Sequence, residues 1–247
     1  MFPVDPAGPG ARHRNVLMGR NQRYALITGG NRGLGLSSAR VLARRGWSVL
    51  LGCRDPRAAE AALTELRGEG GTAHAVAVDV ADPASIAAAA RAVAGLTDRL
   101  HAVVNNAGLF SHREEHLPDL EPRTAVQMLL TNACGPLLVV QAFLPLLKAA
   151  NGASVVNVTS EDANADTFDG EYTCYRMSKA ALNAMTLNLA IALRPHDVLV
   201  NGVDPGWIPT DMGGAEAPGS ITKAALAVAD AVELADREKT GRTILAQ

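Results

Sequence analysis

The sequence predicts an α/β fold: a doubly wound, seven-stranded parallel sheet with helices on both faces. Short apolar runs rich in Val and Leu alternate with longer Ala-rich stretches of helical period, the pattern of repeated βαβ units. A Gly-rich turn, TGGNRGLG at 28–35, stands between the first run and the first helical stretch. The chain has 247 residues, usual for one α/β unit, since such a core keeps growing to roughly 250 residues.

In chain order, residues 1–22 read as a loose arm rich in Pro, Gly and Arg, and residues 23–247 as the single folded domain. Strands are expected at 23–29, 47–53, 73–80, 100–108, 153–160, 197–206 and 241–247. Runs apolar on both sides belong to a sheet covered on both faces. The helix over 36–46 carries an apolar stripe at Leu36, Ala39, Val41 and Leu42 and stops at Gly46. The next clear helix, over 82–96, opens with Asp82 as N-cap and Pro83 at the first helical position. Two long apolar helices are expected around 121–149 and 174–193, suited to pairing across a two-fold axis.

Composition excludes several classes. The chain is 48% apolar and 19% charged with formal net charge −2, so it has no basic excess for nucleic acid. Cys53, Cys134 and Cys174 form neither an even set nor a CxxC pair, which argues against a disulfide framework or zinc knuckle and fits the cytoplasm. No apolar run approaches the ~20 residues of a membrane span, and the start lacks a signal-peptide core. No metal is expected: His112, Glu115 and His116 could ligate one on a helix, but Pro118 closes that segment, which reads better as a polar loop.

The glycine turn carries the first chemistry. Glycines after a strand and before a helix let a pyrophosphate approach backbone N–H groups at the helix N-terminus, where the dipole favours negative charge. Gly29, Asn31, Arg32, Gly33, Leu34 and Gly35 are therefore expected to hold a dinucleotide. An acid at the end of the second strand would bind the ribose 2′-OH, whereas arginine accommodates a 2′-phosphate. The chain reads GCRD there, with Cys53 in the acid's place and Arg54 next, so NADP(H) is preferred over NAD(H). Arg32 lies close enough to join Arg54 around the phosphate, while Asp55 would take the ribose if the strand ended later.

In CYRMSK, Tyr175 and Lys179 stand four apart, on one face of a helix, where an ammonium lowers a phenol's pKa from its reference of ~10. That makes the tyrosine a usable acid–base near neutral pH. TGGNRGLG, NNAG at 105–108, Ser160 at a strand end, YRMSK, and NGVDPGWIPTDM at 201–212 together resemble the short-chain dehydrogenase/reductase superfamily, classical type. The resemblance runs from about residue 23 to the C-terminus and implies a Rossmann fold. In PGWIPTDMGG the chain is similar to small carbonyl-reductase-like members.

The resemblance implies that Tyr175 donates a proton to the substrate oxygen and that Lys179 also binds the nicotinamide ribose. It implies that Ser160 holds the carbonyl oxygen and that Asn132, in LTNACG, helps hold a water in a proton relay to Lys179. It places Asp79 and Val80 near the adenine, and Asn106, Ala107 and Gly108 beneath the cofactor. Pro205, Gly206, Ile208 and Thr210 would meet the carboxamide. The Ser160 to Tyr175 interval is about two residues longer than the family commonly has, so Thr159 competes with Ser160 for the substrate hydroxyl.

The expected activity is NADP(H)-dependent reduction of a ketone, with a homodimer or homotetramer as the assembly. The alternatives are an imine reductase, epimerase or dehydratase, or a nucleotide-sensing scaffold without catalysis. Glu161, Asp162, Asp166, Asp169 and Glu171 leave the strand end beside the Tyr–Lys pair. They could favour a polar or cationic small-molecule substrate, but the ordinary reading is a solvated loop, and carboxylates facing Tyr175 would raise its pKa, so most of them are expected to point outward. A short loop at 210–226 is expected to cover the substrate, and the short tail to leave the pocket open.

Overall fold

The computed structural model describes residues 22–111 and 120–246. All but the last residue of the expected arm, and all three metal-ligand candidates at 112–116, lie outside the described residues. The seven strands are β1 Tyr24–Thr28, β2 Ser48–Cys53, β3 Thr72–Ala77, β4 Ala102–Asn105, β5 Ala153–Val158, β6 Val198–Asp204 and β7 Thr243–Leu245. They form one sheet in the order β3-β2-β1-β4-β5-β6-β7, with every pair parallel. The order reverses direction between β1 and β4, and open α/β sheets bind ligands at the strand carboxyl ends beside such a switch point.

Among the described residues seven α-helices flank the sheet: α1 Gly33–Arg44, α2 Glu60–Gly68, α3 Pro83–Ala94, α4 Pro122–Leu129, α5 Gly135–Ala149, α6 Thr173–Leu193 and α7 Ile221–Val232. Alternation along β1 sends Ala25 and Ile27 to one face and Leu26 to the other, and two separate apolar cores result. One packs under α1, α2 and α7 and the other under α3, α5 and α6. Asp82 caps α3 as expected, its carboxylate accepting the N–H of Ala84 at 2.9 Å, with Pro83 behind it.

Three boundaries depart from expectation. Helix α1 starts at Gly33 rather than 36, because the glycine turn itself supplies the first helical residues. The covering loop expected over 210–226 is shorter, since Ile221 to Leu226 already belong to α7, capped by Ser220 and packed on α1. And Pro122–Ala149 is, by length and composition, apolar enough to cross a membrane, which corrects the expectation that no stretch approaches this. In the fold this stretch breaks at a π-turn, Leu130–Cys134, and lays Val139, Val140, Phe143 and Leu147 into the core.

Candidate active site

A cleft of about 1190 Å³ opens at the carboxyl ends of β1, β2, β4, β5 and β6. Typical ligand pockets hold about 300–1,000 Å³, so this one has room for a dinucleotide and a small substrate together. The glycine turn forms one end. Gly29 and Gly33 adopt left-handed φ of 63° and 54°, and a Cβ on Gly35 would lie 2.4 Å from the Gly29 carbonyl oxygen. Asn106 donates its amide N–H groups to the carbonyls of Thr28 and Gly29 at 2.9 and 3.1 Å, bracing the turn from β4. No side chain caps α1, whose N-cap is Arg32, so its first-turn N–H groups are left for a ligand. An uncapped helix start framed by glycines fits a pyrophosphate.

The second strand ends at Cys53. Asp55, two residues on, caps the following turn and accepts Arg57 Nε and Nη2 at 3.1 and 3.0 Å, which holds its carboxyl below the usual range. Burial, then the Asp55 charge, push the Cys53 thiol up, so it stays neutral. Arg54 lines the cleft, and among the described residues no carboxylate pairs with it. Arg32 forms an ion pair at 2.5 Å with Asp211, reaching from the glycine turn to the covering loop. Both side chains are over two-thirds exposed, and such a surface pair is held weakly. Asp79, Val80, Ala107, Gly108, Pro205, Gly206, Ile208 and Thr210 line the same cleft.

Tyr175, Lys179 and Ser160 meet at the other end. Lys179 Nζ lies 5.6 Å from the centre of the Tyr175 ring and donates to the Val158 carbonyl at 2.8 Å. Burial pushes the ammonium down to about 8, against the opposing charge of Asp204. Asp204, itself buried at the end of β6, accepts the Gly206 N–H at 2.9 Å, and burial pushes its carboxyl up. Phe110 stands edge-on to Tyr175 at 5.0 Å and against Tyr172 at 5.3 Å. Tyr172 has a left-handed φ of 54°, uncommon for a non-glycine residue, where the acidic loop turns into α6.

Asn132 is buried on the π-turn and all its amide atoms are engaged. It accepts the Leu109 N–H at 2.7 Å and donates to the Leu109 carbonyl and Ser178 Oγ at 2.8 and 3.0 Å. Its side chain thus ties the Leu109 loop to α6 rather than reaching Lys179. Thr159 borders the cleft but is buried, and its hydroxyl is occupied in donating to Asn183 Oδ1 at 2.6 Å. Ser160 instead accepts the Asp162 N–H at 3.2 Å and donates to Asp162 Oδ2 at 3.3 Å.

The acidic loop has a partner that sequence reading missed. Arg176, beside Tyr175, is buried and reaches Asp162 Oδ1 at 3.2 Å, Asp169 Oδ2 at 3.0 Å and the Thr167 carbonyl. The longer interval is thereby folded into two short 3-10 turns, at Glu161–Ala163 and Ala165–Thr167. Only Glu161 and Asp162 of the five carboxylates line the cleft. The signal for Arg176 was a basic residue opening a helix just after an uninterrupted acidic run; that for Asp204 was an acid ending an apolar strand before Pro-Gly.

A profile of the short chain dehydrogenases matches residues 23–220. A cyclopentanol dehydrogenase of Comamonas testosteroni is 31% identical over 196 residues, 79% of this chain and 77% of the relative. Among solved structures, an NADPH-bound carbonyl reductase from chicken fatty liver superposes with a TM-score of 0.83 at 29% identity, over 91% of this chain and 96% of that one. A 3-oxoacyl-[acyl-carrier protein] reductase from Brucella melitensis gives 0.84 at 28% identity, over 93% and 97%. The glycine turn, the parallel sheet and the Tyr–Lys end of the cleft thus sit in one matched stretch, and the chain belongs to the short-chain dehydrogenase/reductase family of oxidoreductases.

Proposed function

We propose that the protein is an NADP(H)-dependent ketone reductase. The observation that carries this is one cleft holding, at opposite ends, an anion-fitting glycine turn beside an unpaired Arg54 and the Ser160, Tyr175 and Lys179 side chains. Preference for the phosphorylated cofactor is supported by the end of β2 at Cys53 and by the engagement of Asp55 with Arg57, which leaves no free acid for a ribose. Arg54, joined by Arg32 on release from its exposed pair with Asp211, would meet the 2′-phosphate. A nicotinamide cofactor held in this cleft would supply hydride to the carbonyl carbon.

The chain's own groups do the rest. Tyr175 delivers the proton to the carbonyl oxygen, and Ser160 donates a hydrogen bond to the charge developing there. Lys179, held on Val158, keeps positive charge near the phenol, and it would hold the nicotinamide ribose of a bound cofactor. Asn132 acts as a positioning residue that joins the Leu109 loop to α6; a relay water in its neighbourhood would meet the π-turn backbone rather than its occupied amide. The substrate is a small polar molecule. Val126, Leu130 and Leu137 on the α4 to α5 stretch and Met177 on α6 remain exposed, which supports a homodimer or homotetramer through these helices.

The test is NADPH oxidation with a panel of ketones, wild type against Tyr175→Phe. Loss of about 10²- to 10⁴-fold in turnover with dinucleotide binding intact is expected. Turnover nearly unchanged in the variant would remove Tyr175 from the chemistry.

A further inference from the structure

We propose that Asp162 is the specificity-determining residue of this cleft, selecting ketones that carry a hydrogen-bond donor, a hydroxyl or an ammonium, on the carbon next to the carbonyl. The inference rests on the ketone-reductase reading of the same site and names its substrate class.

The geometry is specific to one carboxylate. The Ser160 hydroxyl has a single proton, and that proton is given to Asp162 Oδ2 at 3.3 Å. The serine that should donate to a substrate carbonyl is therefore already committed. Asp162 cannot swing away, because Arg176 Nη2 holds its other oxygen at 3.2 Å and is itself anchored by Asp169 and the Thr167 carbonyl. The Arg176 side chain is 8% exposed and that of Asp162 is 32% exposed. The carboxylate is thus fixed on its buried side and open on its cleft side.

A carbonyl oxygen placed on Ser160 brings the neighbouring carbon close to Asp162. A donor on that carbon takes the serine's place on Oδ2, and the serine proton turns to the carbonyl oxygen. The exchange conserves one hydrogen bond to the carboxylate and adds one to the substrate. A plain ketone also gains the serine proton but leaves Asp162 Oδ2 with no donor in the serine's place. The charge-assisted hydrogen bond to Asp162 that a donor-bearing ketone makes and a plain ketone lacks corresponds to about ten- to a hundredfold in affinity or kcat/KM. Glu161 on the same wall adds negative potential that favours the ammonium over the hydroxyl. Phe110, Tyr172 and Trp207 line the same cleft.

The experiment uses three ketones of one size: α-aminoacetophenone, α-hydroxyacetophenone and propiophenone. Binding to the enzyme with NADP⁺ is measured by calorimetry and turnover by NADPH oxidation, on wild type, Asp162→Ala and Asp162→Asn. Thermal unfolding confirms that each variant is folded. Wild type should favour the two donor-bearing ketones about ten- to a hundredfold. The preference should vanish in Asp162→Ala, while Asp162→Asn should weaken the amino ketone more than the hydroxy ketone. Equal binding of the three by wild type, binding of none, or a preference that survives in Asp162→Ala overturns the proposal. Selective binding without turnover upholds the role of Asp162 and sinks the reductase reading instead, so the two fail separately.

Discussion

Replacing Lys179 with methionine should make the protein more stable at neutral pH while abolishing its chemistry. The ammonium is buried, and its pKa falls from 10.5 to about 8. At 1.36 kcal/mol per unit, that shift is a penalty of about 3 kcal/mol borne by the folded state. Methionine keeps the apolar stem and removes the charge, but it orphans the Val158 carbonyl, at a cost of about 1 kcal/mol. A net gain of about 2 kcal/mol remains, which in a chain of this size raises Tm by roughly 4–8 °C. The pH dependence follows from the sign of the shift. Below pH 8 both states hold the proton and the wild type bears the whole penalty; between about 8 and 10.5 only the unfolded state keeps it, so the penalty fades as pH rises. Urea unfolding followed by circular dichroism, on both proteins at pH 7 and about pH 9.5, measures the gap. A variant less stable than wild type at pH 7, or a gap that does not narrow at the higher pH, would show that the lysine is not held against its solvation preference.

Three further variants separate assignments within the cleft. Arg54→Ala should weaken NADPH by about tenfold or more while leaving NADH nearly unchanged in calorimetry, since only the former brings a phosphate to the guanidinium; equal losses would return the ribose to Asp55. Ser160→Ala should lower turnover by about 10²-fold with little change in stability. Thr159→Val should do the reverse, because its hydroxyl serves the buried Asn183, losing about 1 kcal/mol in unfolding with turnover retained. Turnover that drops in Thr159→Val and survives in Ser160→Ala would reverse the two hydroxyls.

Much of this molecule was decided by local sequence. The five inner strands, β1, β2, β4, β5 and β6, are runs buried on both faces, so composition alone marks them, and all seven expected runs contain the observed strands or all but one residue of them. Asp82 with Pro83, and glycines before a helix, are short-range rules that hold wherever the chain is placed. The Tyr175–Lys179 spacing likewise needs only a helix to bring both side chains to one face. Side-chain direction and partnership needed the tertiary structure. Thr159 and Ser160 are neighbours of similar chemistry, and only the pleat sends the first to Asn183 and the second to the cleft. The family resemblance implies that Asn132 helps hold a relay water, whereas packing gives the Asn132 amide wholly to Leu109 and Ser178. From sequence, the acidic run before Tyr175 could line the cleft or, as its ordinary reading, face solvent. Folding brings the Arg176 guanidinium beneath it, neutralises part of it, and leaves Asp162 as the carboxylate bonded to Ser160, because opposite charges are paired by three-dimensional distance and not by order along the chain.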